Sequence, residues 1–584
     1  MFIMKRLMFR PYLFISALTL FLVSCSHGEN EAELYIFAST DVHGSIFDKD
    51  PLTGTENYSS MARIASYLDR YEHDEYILLD NGDNLQGSPA VYYYNFEDTV
   101  SEHLWTRVLN YLKYDAVTVG NHDIEAGHGV YDMIREQYEM PMMAANALSK
   151  ETGEPYFSPY VIINRNGLKV AVMGLITPGV PGWIPEVLYE GIEFRDMVET
   201  AEKWMPVIKR ENPDLIIGLF HAGWDENYEG VEGSYMNNNA SLSVARKVRG
   251  FDIVMIGHDH DTLNEFIISD SGDSVLILDG GSRARYLEVA KVHFVGKRKK
   301  NITVLSGELV NIQDHQTSSE FSEYFHDDYL EINKYVSRKI GRIDKTISTR
   351  EAYFGDSGFM DLIHNVQLEI SGAEVSFAAP LSYDVKLKEG IVTVSDIFDL
   401  YRYENLLYTV EMSGEEIDRY LEYSYANWFS TMEKPGDNMF KTITNEHGYG
   451  FRNRTYNFDS AEGIDYLVDL RMPDGNKVKI KSFSDGRVFD YNNKYRVALN
   501  SYRGSGGGGH LAYACSLEND ELNTRILRST DKDIRYYMIK WFEENENILI
   551  EADNNWHLIP EKWVSDAKTT EYNKLFNKNN RDDN

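Results

Sequence analysis

Short apolar runs that end on polar clusters recur through the first half of the chain. Leu34–Thr40 runs into Asp41-Val42-His43, Tyr76–Leu79 leads to Gly82-Asp83, and Ala116–Val119 runs into Gly120-Asn121-His122-Asp123. Leu215–Phe220 ends at His221, and Ile253–Ile256 ends at Gly257-His258-Asp259-His260. Apolar runs of this length, bounded by turn-forming residues, read as buried strands. Between them, Ser59–Tyr71 and Val198–Glu211 carry helical spacing, so residues 33–315 are expected to form an α/β domain. Ser318–Arg338 is charged and aromatic, contains neither Gly nor Pro, and predicts a linking helix within 316–339. A second α/β unit is expected over 340–566, and the polar residues 567–584 are expected to fray. No short-period repeat is present.

A length of 584 residues exceeds what one core usually organises and fits two or three domains. With 43% apolar and 13% aromatic residues, wholesale disorder is excluded. The N-terminus reads as an export signal over 1–24. Lys5, Arg6 and Arg10 form a basic stretch, Tyr12–Val23 an apolar one, and Leu22-Val23-Ser24-Cys25 looks like a lipobox. In that reading Cys25 carries lipid and residues 25–32 tether the anchor. A plain signal peptide or a membrane anchor with an incidental cysteine is the alternative. The protein is then exported and lipid-anchored, in a bacterial periplasm or on the cell surface. Cys515, the other cysteine, would have no disulfide partner and lies in an apolar run, as a buried structural thiol does.

The formal charge is −34, and removing residues 1–24 takes away Lys5, Arg6 and Arg10 and leaves −37. Such a surface repels polyanions and disfavours binding to a nucleic-acid polymer. A phosphate-bearing substrate would therefore have to be held by local cations. No obligate protein partner is evident.

The polar clusters supply ligands for such cations. Sites in α/β proteins are built from loops at strand C-termini. Carboxylate, imidazole and amide oxygen form the ligand set of hydrolytic two-metal centres. On an extended segment Asp41 and His43 share a face and both reach one ion, and His258 and His260 have the same spacing.

The ordered set Asp41-x-His43, Gly82-Asp83-Asn84-Leu85-Gln86-Gly87-Ser88, Gly120-Asn121-His122-Asp123, His221 and Gly257-His258-Asp259-His260 resembles the signature of the calcineurin-like metallophosphoesterases. Gln86-Gly87-Ser88 and the long C-terminal region resemble the superfamily of 5'-nucleotidases and 2',3'-cyclic-nucleotide 2'-phosphodiesterases (3'-nucleotidases), over residues 33–565. The resemblance implies an N-terminal α/β/β/α sandwich, a linking helix and a C-terminal α/β substrate domain. It implies two divalent metal ions (Zn, Mn, Fe or Co). Asp41, His43 and His260 would hold the first, Asn121, His221 and His258 the second, and Asp83 would bridge them. It makes His122 the residue that contacts phosphoryl oxygens and Glu125 the group that orients its imidazole. Asp123 and Asp259 are expected to set loop geometry.

In the second half, Asn500-Ser501-Tyr502-Arg503-Gly504-Ser505-Gly506-Gly507-Gly508-Gly509 resembles the superfamily's nucleoside-binding loop. Gly506 and Gly507 would let a ligand approach the backbone, and Tyr502 offers a stacking face. Tyr456-Asn457-Phe458-Asp459 is the candidate for the other face of the base. Tyr456 and Phe458 are expected on one strand face, and the resemblance favours Tyr456 as the stacking ring and Phe458 as core. Ser376-Phe377-Ala378-Ala379-Pro380-Leu381-Ser382 lacks the glycine triplet and arginine of the 5'-nucleotidase branch. Asp399-Leu400-Tyr401-Arg402-Tyr403-Glu404-Asn405 looks like a segment of the cyclic phosphodiesterase branch. The expected activity is hydrolysis of 2',3'-cyclic nucleotides and 3'-nucleotides. A 5'-nucleotidase or UDP-sugar hydrolase is the alternative, and a catalytically silent nucleotide-binding lipoprotein a remote one.

Overall fold

The computed structural model describes residues 31–224, 237–295, 301–445, 448–517, 519–545 and 547–576. The expected signal, the lipobox and Cys25 lie outside the described residues. Among the described residues no helix is long and apolar enough to cross a membrane.

The first half rests on two sheets built from β1 (Glu31–Ser39), β2 (Tyr76–Asp80), β3 (Ala116–Thr118), β4 (Met142–Met143), β5 (Tyr160–Arg165), β6 (Leu168–Ile176), β7 (Leu215–His221), β8 (Ile253–Ile256), β9 (Thr262–Ile268), β10 (Ser274–Gly280), β11 (Tyr286–Val295) and β12 (Asn301–Asn311). One sheet runs β12-β11-β1-β2-β3-β4 and the other β9-β10-β8-β7-β6-β5. The central strands are parallel; antiparallel strands close both edges of the second sheet and one edge of the first, whose other edge strand, β4, runs parallel to β3. Strands apolar on both faces must be covered on both. Leu34, Ile36, Leu79, Ile217, Met255 and Leu278 meet between the sheets. Helices Met61–Leu68 and Leu104–Leu112 cover the outer face of the first sheet, and Met197–Arg210 and Ser241–Lys247 that of the second. This is the α/β/β/α sandwich. Its first strand begins at Glu31, paired with Val295, so the end of the expected tether belongs to the sheet.

The expected linking helix is divided. Helices Ser319–Tyr324 and His326–Val336 meet at Phe325, which leaves helical geometry (φ −99°, ψ 15°). Its ring is buried against Tyr111 and Phe321.

The C-terminal half holds a five-stranded mixed sheet in the order Ser460–Glu462, Val375–Ala378, Lys494–Asn500, Leu406–Ser413, Ile526–Asp533. Helices Gly358–Ser371 and Gly414–Trp428 pack on it. A second aromatic core includes Trp428, Phe458, Tyr466 and Trp556. Fraying from residue 567 is not what the structure shows. Helix Glu561–Phe576 continues through that point and buries Val564, Ala567, Glu571 and Leu575 along one stripe. Tyr383 donates a 2.7 Å hydrogen bond to the Leu575 carbonyl. Cys515 is buried, and burial pushes its thiol up to about 12, which suits an inert core residue.

The halves share an apolar cluster. Tyr92 from the first packs on Phe398 of the second at 5.2 Å between ring centroids, and the Arg535 guanidinium lies over both rings.

Candidate active site

Every expected metal ligand sits at or just beyond the C-terminal end of a parallel strand. Asp41 and His43 follow β1, Asp83 follows β2, Asn121 follows β3, His221 ends β7, and His258 and His260 follow β8. The two sheets bring these ends together at one rim.

The way they converge differs from the extended spacing read in the sequence. Asp41 (φ 47°), His43 (φ 50°), Asp83 (φ 57°), His258 (φ 86°) and His260 (φ 59°) all adopt left-handed backbone. Non-glycine residues in this costly region, gathered at one rim, mark a site whose surroundings enforce its geometry. Asp123 supplies part of that enforcement. Its carboxylate accepts hydrogen bonds from the backbone N–H groups of Asp83, Asn84, Leu85 and Gly120 at 2.8–3.2 Å. Asp259 accepts from the Trp224 N–H at 2.7 Å. Glycine is required where backbones meet: a Cβ on Gly120 would collide with the Asp83 carboxylate, and one on Gly257 with that of Asp41.

Two ligand groups result. Asp41, His43 and His260 place one donor atom each within 4.8 Å of one another, and so do Asp83, His221 and His258. In the first group, His43 Nε2 and His260 Nε2 are 3.0 Å apart, and His260 Nε2 is 3.4 Å from Asp41 Oδ1. In the second, His221 Nε2 lies 3.1 Å from Asp83 Oδ2 and 3.2 Å from Asn121 Oδ1. The rear nitrogens are anchored: His43 Nδ1 donates to the Gln86 carbonyl at 3.0 Å and His221 Nδ1 to the Asn81 carbonyl at 2.7 Å. That tautomer turns the Nε2 lone pairs inward, as metal-binding histidines require.

The electrostatics fit the same purpose. Burial alone would raise the Asp41 carboxyl, but the imidazoles of His221 and His260 outweigh it and hold it at about 2. Burial opposes ionisation of Asp83 too, yet His221 and His122 hold that carboxyl well below the usual range. Burial, with the positive potential of neighbouring imidazoles, pushes His43 and His258 down to about 3. Against its own burial, His221 is pushed up to about 9 by Asp83 and Asp41. Ionised carboxylates and neutral imidazoles are the donor forms that divalent ions bind, and an ion on His221 would displace its proton. The residues present therefore fit two divalent ions.

His122 and Glu125 lie on the short helix Asn121–Glu125, one turn apart, with Nδ1 2.6 Å from Oε2. The His122 side chain is 28% exposed and its ring is 5.5 Å from that of His43. Burial lowers its proton affinity, but Asp83 and then Glu125 outweigh this and push it up to about 10.

The two halves face each other across a cleft of about 350 Å³ that opens beside the His43 loop. Gly44, Ser88 and Arg283 line one wall, and Ser382, Phe398 and Arg402 the other. The Arg283 N–H donates to the Asp41 carbonyl at 2.8 Å, which ties this wall to the ligand loop.

The expected stacking residues also converge. The rings of Tyr456 and Tyr502 meet edge-on at 6.4 Å and 87°, and Tyr403 meets Tyr456 edge-on at 6.1 Å. Tyr456 is not on a strand: Thr455–Asn457 is a turn of 3₁₀ helix. Phe458 leaves that turn into the core, where it stacks on Trp428 at 4.6 Å. Gly506 has φ 101°, and a Cβ on Gly507 would collide with the Tyr502 ring, so Gly507 backs that ring. Arg503, which sequence reasoning gave no role, fastens the arrangement. It pairs with Asp459 and donates to the carbonyls of Tyr456 (2.6 Å) and Gly507 (3.0 Å). Arg283, Arg402 and Tyr403 had no assigned role either. A lone arginine inside a glycine-rich, otherwise uncharged loop is a signal that would have found Arg503, because a buried guanidinium needs a carboxylate.

Comparison with known proteins agrees with this layout. Residues 34–262 match the calcineurin-like phosphoesterase model, and residues 339–514 match the model of the 5'-nucleotidase C-terminal domain. The chain joins a calcineurin-like phosphoesterase domain to a 5'-nucleotidase C-terminal domain. Phosphoesterases of the calcineurin-like family use divalent metals. The chain is 26% identical over 91% of its length to the trifunctional nucleotide phosphoesterase protein of Bacillus subtilis, of which it spans 40%. It is 27% identical over 94% of its length to the 2',3'-cyclic-nucleotide 2'-phosphodiesterase/3'-nucleotidase of Haemophilus influenzae, of which the match spans 92%. The fold matches a solved 5'-nucleotidase precursor from Thermus thermophilus with a TM-score of 0.61 at 18% identity, covering 91% of this chain and 100% of that one.

Proposed function

We propose that this chain is an extracytoplasmic nucleotide phosphohydrolase that acts on 2',3'-cyclic nucleotides and 3'-nucleotides. The observation that carries the reading is one rim holding two ligand groups, beside a cleft whose far wall includes Arg402, the chain neighbour of Tyr403 in the tyrosine cluster. The relatives named above, and the tripeptide Gln86-Gly87-Ser88 after Asp83, support the substrate class. The export-signal pattern of residues 1–24 supports the location, and Cys25 would hold a lipid anchor.

The roles divide by position. Asp41, His43 and His260 would hold one ion and Asn121, His221 and His258 the other, with Asp83 as the carboxylate that would serve both. Divalent ions held by these residues would supply Lewis acidity and a water of lowered pKa as nucleophile. His122, anchored by Glu125, donates from Nε2 to a phosphoryl oxygen and then to the departing ribose oxygen. Arg283 and Arg402 add positive charge to the cleft of an otherwise acidic protein. Tyr502, backed by Gly507 beside the turn at Gly506, stacks on the base, and Tyr456 bounds the same space from the side. With the rings edge-on, a base lying against Tyr502 meets the edge of Tyr456.

A second reading is a 5'-nucleotidase, favoured by the match of residues 339–514 to the C-terminal domain of that family and opposed by the 376–382 loop without glycine triplet or arginine. Initial rates on 2',3'-cyclic AMP, 3'-AMP, 5'-AMP and UDP-glucose separate the two. The proposal expects the first two to be turned over with the highest kcat/KM. Preference for 5'-AMP or UDP-glucose would replace it with the second reading.

A further inference from the structure

The loop that follows β6 meets the second ligand group and not the first. β6 runs beside β7 with Ile176 paired to His221, and the Thr177 N–H donates to the His221 carbonyl at 2.7 Å. Loop 177–184 therefore leaves the sheet at the level of a candidate ligand. Val180 and Ile184 anchor it in a core cluster shared with Val119 and Ile124, which precede and follow Asn121. Between those anchors the loop carries Trp183, half-buried, onto His258. The indole meets the His258 imidazole at 5.3 Å between ring centroids and 33° between planes. Among the described residues no hydrogen bond or ring contact joins this loop to Asp41, His43 or His260.

The indole is itself held in place. The Gly182 N–H donates to the Gly179 carbonyl at 2.8 Å and the Trp183 N–H to the Val180 carbonyl at 3.1 Å, which fixes the turn. A Cβ on Gly179 would come within 2.6 Å of the Trp183 ring, so the ring packs on bare backbone there. His258 is a residue that needs support from its surroundings. It adopts left-handed backbone at φ 86°, its N–H donates to the Asp41 carboxylate at 3.0 Å, and its ring meets that of His221 edge-on at 5.3 Å and 67°. Residues in such costly backbone geometry persist only where neighbours over-determine them. A histidine binds an ion well when the groups around it keep its lone pair aimed, and an aromatic face against the imidazole restricts the turning of the ring.

We propose that Trp183 is a positioning residue for the second ion: its indole holds the His258 imidazole in the ligating orientation, and loop 177–184 serves that ion alone. The inference rests on the two-ion reading of the rim. It gives the two ions an asymmetry. Only the second depends on this loop, although both ligand groups share one rim.

The test strips the full chain with EDTA, removes the chelator by dialysis and titrates CoCl₂ calorimetrically. The unsubstituted chain should bind two cobalt ions. Trp183→Ala should weaken one of them by about tenfold or more and leave the other unchanged. Trp183→Leu keeps apolar bulk without a ring and should show the same selective loss, so it decides the matter if the alanine chain does not fold. Trp183→Phe restores a flat ring and should return the affinity to within a few-fold. Adding His260→Ala, which removes a ligand of the first group, should leave the weakened ion as the one still bound. Unchanged affinity for both ions in Trp183→Leu, or equal weakening of both, would overturn the inference and leave the two-ion reading intact. So would a weakened ion that disappears on adding His260→Ala, because it would belong to the first group. An unsubstituted chain that binds fewer than two cobalt ions would overturn the two-ion reading, and this inference with it.

Discussion

Nδ1 of His122 stands 2.6 Å from Oε2 of Glu125, one helical turn away and beside the ligand rim. The contact fixes the tautomer, so that Nε2 is the atom presented to the cleft. His122→Ala is expected to lower kcat by about 10²–10⁴-fold, the usual range for a general acid, with metal content unchanged. Glu125→Gln, which keeps a hydrogen-bond acceptor but removes the charge, should cost about 10-fold. Steady-state rates together with elemental analysis of each variant check this. A loss of metal in His122→Ala would make the residue a ligand instead.

Asp83 interacts with both ligand groups: one oxygen is 3.1 Å from His221 Nε2, and its charge lies close to His43 as well as His122. Asp83→Ala should therefore lose most of both ions along with activity, whereas His260→Ala, at the exposed edge of the first group, should lose one. Metal-to-protein ratios after dialysis distinguish the two. Full occupancy in Asp83→Ala would sink the bridging role.

The residues gathered at the rim were legible in the sequence because strand ends are marked by a change from apolar to polar residues, and the candidate ligands follow those changes directly. The left-handed backbone at Asp41, His43, His258 and His260 was not legible, since these residues favour such φ values only weakly and tertiary contacts impose them. The helix through Ala567 was missed for another reason. Its buried stripe is one residue wide and includes Glu571, so its composition reads as polar. Contacts between the halves were invisible for the plainest physical reason: Tyr92 and Asp533 form a 3.0 Å hydrogen bond across 441 residues, and no local pattern encodes such a pair.

That boundary carries a pH dependence. Burial pushes the Glu404 carboxyl up to about 8, with Arg535, 3.3 Å away, pulling partly against it. Because the folded-state value is raised, the stability tied to protonated Glu404 is present in full below about 4.5 and is lost as pH climbs towards 8. Glu404→Gln should flatten the fall in Tm between about pH 5 and 8 at fixed metal concentration. An unchanged slope across that window would show that Glu404 ionises normally in the folded protein.

The pair that fixes the base site is Arg503 with Asp459. Nε to Oδ2 is 2.9 Å and Nη2 to Oδ1 is 3.1 Å, and both side chains are almost wholly buried. Because Arg503 also holds the Tyr456 and Gly507 carbonyls, it sets the two loops relative to each other. Arg503→Met leaves the Asp459 charge unpaired and should cost about 3–5 kcal/mol of stability, with recognition of the base lost in parallel. Tyr502→Ala isolates recognition from stability. Its ring packs against a loop glycine and not within the aromatic core, so the fold should tolerate the loss. Stacking is worth about 1–3 kcal/mol per base, so KM for nucleotides should rise by about tenfold or more. Hydrolysis of bis-p-nitrophenyl phosphate, which has no base, should stay within a few-fold of the unsubstituted chain, because the ligand rim and His122 are untouched. Kinetics on both substrates, alongside thermal unfolding of both variants, decide the matter. If Tyr502→Ala cripples the two substrates equally while remaining folded, the tyrosine serves the reaction itself and the division of labour between the two halves is wrong.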